Sequence, residues 1–206
     1  MLIISDFSKT YGGQRAVSAK SLSLLPGIHW VKGGNGSGKT TFFKCVAGIS
    51  PCEGEITLDG ISLKKRPIAY RQQVTYAEAE PMYPSFLTPN DLLRFVATTR
   101  KATPSEVDHY VGSLGIDAFL NKRCGACSSG MQKKLCLAIA FLGKPKLIIL
   151  DEPLITLDES TRERFYTMVR ECRDAIFLLS SHDEIESESL SVQHRYLILN
   201  TVISHE

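Results

Sequence analysis

Short apolar runs alternate along the chain with segments whose apolar residues return at helical spacing. Residues 2–7 and 21–25 read as strands, and Pro26-Gly27 turns the chain into a third apolar run over 28–31. A glycine-rich stretch follows, and then a helix over 40–47 that Gly48 closes. Residues 55–58 alternate like a strand and end at the turn pair Asp59-Gly60, and 74–77 form another short strand candidate. Thr88-Pro89-Asn90-Asp91 and Thr103-Pro104-Ser105-Glu106 each combine a capping Thr, a Pro at the first helical position and an acid two residues on, so each predicts a helix start. Helices are further predicted over 130–142, 160–173 and 184–190, and strands over 147–150, 175–179 and 196–199. The run Leu147-Ile148-Ile149-Leu150 has no polar side, as in a strand buried on both faces. Buried strands alternating with helices predict an α/β fold with a mainly parallel sheet.

Composition narrows the class. The 206 residues are 43% hydrophobic and 22% charged, with a net charge of +2, so a basic nucleic-acid coat and a disordered or acidic chain are excluded. No apolar stretch approaches the roughly 20 residues that span a bilayer, and the N-terminus lacks the basic region of a secretory signal. Three of the six cysteines fall in predicted helices, which points to reduced thiols in a cytoplasmic setting. Cys124-x-x-Cys127 has metal-ligand spacing but no second Cys or His pair nearby in sequence.

Gly33-Gly34-Asn35-Gly36-Ser37-Gly38-Lys39-Thr40, followed by Thr41, fits G-x-x-x-x-G-K-[ST] at every fixed position and lies between a strand and a helix. A polyphosphate needs N–H donors converging at a helix N-terminus, and glycines let the backbone wrap that closely. Lys39 is expected on the β- and γ-phosphates and Thr40 on Mg²⁺. Such a loop needs a carboxylate at a neighbouring strand end, and Asp151 follows the apolar run 147–150 as a second Mg²⁺ ligand. Glu152, next in line, is the expected general base for the attacking water.

Cys127-Ser128-Ser129-Gly130-Met131-Gln132 opens a predicted helix some twenty residues before Asp151 and resembles the L-S-G-G-Q signature of ABC-type ATPases. Leu, Gly and Gln of the consensus are replaced, while Ser128 and Gly130 remain. The resemblance extends over nearly the whole chain and implies a P-loop core with a small N-terminal antiparallel β part and a helical insertion at about 79–140, in one domain over 1–206. By that resemblance Tyr11 stacks on adenine, Asp158 lies in the loop facing the partner subunit, and His182 contacts the γ-phosphate. Two cassettes are expected to close head to tail on two ATP molecules, with Ser128, Ser129 and Gly130 of one chain facing Lys39 of the other. An integral-membrane permease is the implied partner, no nucleic acid is expected, and the protein would sit peripherally on the inner face of the membrane. The short signature variant is similar to exporter cassettes, so export is the expected direction. The alternative is a soluble ABC-type ATPase acting on ribosomes or nucleic acid; a small-molecule kinase would leave Ser128, Gly130 and His182 unexplained. The family's usual Gln falls at Ala79, flanked by Glu78 and Glu80, and the sequence does not choose between them.

Overall fold

The computed structural model describes residues 1–181, 190 and 192–206. The helix expected over 184–190 lies almost wholly outside them, as does His182. Ten strands among the described residues join in a single curled, mixed sheet.

One half of it is antiparallel. Strands β1 (Leu2–Tyr11) and β2 (Gln14–Leu24) form a long hairpin. Its turn, Gly12-Gly13, has positive φ at both residues, the geometry whose twist matches the flanking strands. The chain reads as two shorter strands because residues 8–16 are mostly polar or exposed; cross-strand hydrogen bonds, not burial, extend the pair past the core. Strand β4 (Glu53–Leu58) lines up on β1, and Asp59-Gly60 returns it to the two-residue β5 (Ile61–Ser62).

The other half is parallel: β3 (Gly27–Lys32) lies between β8 (Ile176–Ser180) and β9 (Val192–Leu199), with β7 (Leu147–Leu150) and β6 (Val74–Ala77) beyond β8. The final strand β10 (Val202–His205) was not expected from its few apolar residues. It turns back from β9 through Asn200-Thr201, both at positive φ, and pairs Val202 with Ser18 of β2, which sews the two halves together.

Each face of the sheet carries its own apolar core. Helix α1 (Lys39–Val46) lays Phe42, Phe43 and Val46 against Leu147, Ile149, Ile176 and Leu178. Helices α5 (Ser129–Phe141) and α6 (Glu159–Glu171) cover the opposite face, with Leu137, Phe141 and Phe165 against Ile148, Leu150, Phe177 and Leu179. Odd and even residues of β7 and β8 thus enter different cores, which is why these strands carry no polar face.

A short helix α2 (Pro67–Arg71), unforeseen because only Tyr70 is buried, precedes β6. Helices α3 (Pro89–Arg100) and α4 (Pro104–Leu114) begin at Thr88 and Thr103, each with a reciprocal capping box to Asp91 or Glu106. Their Leu93 and Leu114, with Ile116 and Phe119, share the core of α5 and α6. No described helix is long and apolar enough to cross a membrane.

Candidate functional site

Between β3 and α1 the chain wraps through residues 33–38. Gly36 and Gly38 take positive φ, and a Cβ at Gly38 would stand 2.8 Å from the Ala16 carbonyl oxygen. Gly33 passes so close to Ser37 that a Cβ there would lie 2.4 Å from Oγ. Helix α1 starts with neither a side-chain cap nor an acid in its first turn, so its leading N–H groups face the loop's hollow, an arrangement suited to an anion. Lys39 is 7% exposed and lies back over the loop, donating from Nζ to the Gly33 oxygen at 2.6 Å and the Gly34 oxygen at 3.2 Å.

Asp151, at the end of β7 and 1% exposed, is gripped from both sides. Thr40 Oγ1 donates to Oδ2 at 2.6 Å and Tyr76 Oη to the same atom at 3.3 Å, while Ser180 Oγ, from the end of β8, donates to Oδ1 at 2.5 Å. Ser180 Oγ also accepts the Glu152 N–H at 3.1 Å. Burial, reinforced by the Asp151 charge, pushes the Tyr76 hydroxyl well above its ordinary pKa, so it stays a donor. Glu152 itself sits at positive φ, 7% exposed.

Lys133 of α5 is 1% exposed and donates to three backbone carbonyls: Glu78 and Ala79, each at 3.0 Å, and Asp151 at 3.2 Å. It ties the ends of β6 and β7 to one helix. Burial pushes its ammonium below the usual pKa, against the opposing pull of Cys136, Asp151, Glu152 and Glu80.

These elements bound a cavity of about 350 Å³ lined by residues 35–41, Ala79, Glu80, Asp151, Glu152 and Ile155. Of the two acids flanking Ala79, Glu80 lines it, whereas Glu78 points to Lys44 at 3.7 Å on the surface. Thr40 and Asp151 offer a hydroxyl and a carboxylate in contact, a hard-oxygen pair of the kind Mg²⁺ takes. No cluster of three or more His, Cys, Asp or Glu among the described residues is placed to hold a metal by itself.

Tyr11, Ser128, Ser129, Gly130 and Asp158 are not among the residues that line this cavity. Tyr11 ends β1, 55% exposed, with Lys9 Nζ 4.7 Å above its ring. Ser128 caps α5, its Oγ accepting the Met131 N–H at 3.2 Å, and the exposed Ser129 and half-buried Gly130 form the first turn. Asp158 caps α6, accepting from Thr161 N at 2.8 Å and Ser160 Oγ at 2.7 Å, and these bonds hold its carboxyl below the usual range. Lys134 of α5 reaches Asp158 at 3.2 Å, so the two helix starts form one exposed surface. His182 lies outside the described residues. Sequence reasoning did not find Ser180, Tyr76 or Lys133 as parts of the Asp151 setting; the polar end of an apolar strand and a lysine on an apolar helix face are the only local signs of them.

Residues 21–155 match the family model described as ABC transporter. The chain is 32% identical over 202 residues to the ATP-binding cassette sub-family A member 7 of Rattus norvegicus, covering 92% of this chain and 9% of that protein. It is 28% identical over 208 residues to the spermidine/putrescine import ATP-binding protein PotA of Mesoplasma florum, covering 97% of this chain and 59% of the relative. The chain thus spans less than two thirds of either relative's length. Among solved structures, one described as the ATP-binding subunit of an ABC transporter superposes with a TM-score of 0.91 at 25% identity, over 100% of this chain and 89% of that one. A dimeric ATP-binding cassette bound to ADP and Pi shares the fold, with a TM-score of 0.83 at 18% identity, over 100% of this chain and 98% of that one.

Proposed function

Since the chain belongs to the ABC transporter family, as an ABC-type ATPase cassette, we propose that it binds and hydrolyses Mg-ATP to drive a separate integral-membrane permease. The observation that carries this reading is the 2.6 Å contact from Thr40 to Asp151, which joins the glycine-rich loop to the acidic strand end across one cavity. Bound there, Mg²⁺ would neutralise phosphate charge and be held by Thr40 and Asp151. The N–H groups of residues 36–41 and the Lys39 ammonium would hold the β- and γ-phosphates, with Asn35, Ser37 and Thr41 completing the cradle. Glu152 lines the same cavity and is the base that takes the proton of the attacking water. His182 would complete the γ-phosphate contacts, and Tyr11 would stack on the base.

The exposed Ser128, Ser129 and Asp158 and the half-buried Gly130 lie at two neighbouring helix starts outside the cavity lining, which supports a site completed across a dimer of cassettes. The whole of 1–206 then acts as one domain, with the helical part at about 79–140 carrying closure to the permease from the inner membrane face. For direction we retain export, on the form of the loop 127–132; relatives named as import ATP-binding proteins match over 208 and 209 residues, and ATP-driven flux in vesicles of known orientation separates the two.

The test is Glu152→Gln. The amide keeps shape but cannot accept the proton, so ATP binding should persist, phosphate release should fall by about a hundredfold or more, and light scattering with Mg-ATP should reveal a trapped dimer. A variant that stays monomeric and hydrolyses at the parent rate refutes the reading.

A further inference from the structure

Away from the nucleotide cavity, the end of α1 and the start of β4 bring two thiols together. Cys45 is fully buried on α1, and Cys52, half-buried, stands one residue before β4. The chain between them is tightly folded: Gly48 reverses direction at φ +73°, and the Ile49 and Ser50 N–H groups both donate to the Lys44 carbonyl. Cys45 Sγ approaches the oxygen of Pro51, the residue before Cys52, at 4.0 Å, and Cys52 packs against the apolar cluster to which Cys45 belongs. Lys9 donates to that same Pro51 oxygen at 2.8 Å, which sets an ammonium beside the pair. Cys52 opens onto a cleft of about 380 Å³ that Lys64 and Arg71 also line.

This is the electropositive, partly exposed setting in which a thiol ionises. The Cys45 thiol, helped by Lys64 and Lys9 against the cost of burial, lowers Cys52 to about 7, while Cys52 and burial push Cys45 up. Burial instead raises the buried Cys124 and Cys136 and the half-buried Cys172.

We propose that Cys52 and Cys45 form a reversible oxidation site, in which Cys52 at the basic cleft attacks a peroxide and Cys45 closes the disulfide. The Cys52 sulfur takes one peroxide oxygen as the O–O bond breaks, and the departing hydroxide leaves as water after gaining a proton. Cys45 gives up its proton and attacks the Cys52 sulfur; the S–O bond breaks, and the second oxygen also leaves as water. Two thiols lose two electrons and one peroxide is reduced. The bond ties the far end of the helix that begins with Lys39 and Thr40 to the antiparallel half of the sheet.

The experiment treats the reduced, full chain with hydrogen peroxide under native conditions, blocks remaining thiols by alkylation and maps the peptides by mass. The expected product is a 45–52 disulfide that dithiothreitol reverses and that forms about tenfold faster than oxidation at any other cysteine. In Cys45→Ser the Cys52 sulfenic acid should persist and be captured by dimedone; in Cys52→Ser, Cys45 should remain alkylatable after denaturation. Should Cys45→Ser fold poorly, the parent mapping decides alone. Cys45 and Cys52 remaining reduced, or a 124–127 bond forming first, overturns the proposal.

Discussion

Removing one hydroxyl, in Ser180→Ala, should loosen the Asp151 site from behind. Ser180 is fully buried, and its Oγ both donates to Asp151 Oδ1 at 2.5 Å and accepts the Glu152 N–H at 3.1 Å. A hydrogen bond to a charged group contributes about 1.5–3 kcal/mol, and a buried N–H left without an acceptor costs about 1–3 kcal/mol. The gap left by a single oxygen is too small to admit a water in its place. Asp151 keeps Thr40 and Tyr76 on its other oxygen, so the lower half of the range applies, about 3 kcal/mol. For a chain of this length that is a fall in Tm of about 6–12 °C. Nucleotide-free thermal melts of parent and variant measure it directly. Thr75→Val is the internal control: Thr75 Oγ1 is buried with no hydrogen-bond partner among the described residues, so replacing it with an isosteric methyl should leave Tm unchanged or raise it. A Ser180→Ala melt within about 2 °C of the parent, or a Thr75→Val loss as large as that of Ser180→Ala, refutes the reasoning.

The two acids beside Ala79 should separate in an assay of Mg²⁺ dependence. Glu80→Ala, at the cavity wall, is expected to raise the Mg²⁺ concentration for half-maximal ATP hydrolysis several-fold, and Glu78→Ala, half-exposed opposite Lys44, to leave it unchanged; equal shifts would contradict the placement. Acid should weaken the fold through His29. Burial, with His194 and His205 adding to it against the hydrogen bond to Leu25, lowers this buried imidazole from 6.5 to about 4. The unfolded chain therefore takes the proton first, so the contribution is whole above pH about 6.5 and lost progressively down to about 4, roughly 3 kcal/mol at most. Denaturant titrations at pH 7.5 and pH 4.5 should show the loss, and a His29→Gln chain with the same pH slope would assign it elsewhere.

What this sequence determines alone is what a few neighbouring residues can encode. The glycine loop, the lysine and threonine after it, and the capping boxes at Thr88 and Thr103 act within a turn of their own backbone, and each stands in the structure at its expected place. Asp151 and Glu152 were legible because a strand buried on both faces announces its own polar end. Tertiary structure decided what depends on chain segments far apart. Ser180 and Tyr76 meet Asp151 across 29 and 75 residues, and Lys133 reaches Glu78 across 55. A serine closing an apolar strand, or a lysine among apolar helix residues, has no local pattern that names its partner. The same holds for β10, whose short run becomes a strand only because β2 and β9 offer unpaired backbone on either side. Glu78 and Glu80 are chemically identical and two residues apart, and only the path of the chain beyond β6 turns one to the cavity and the other to Lys44.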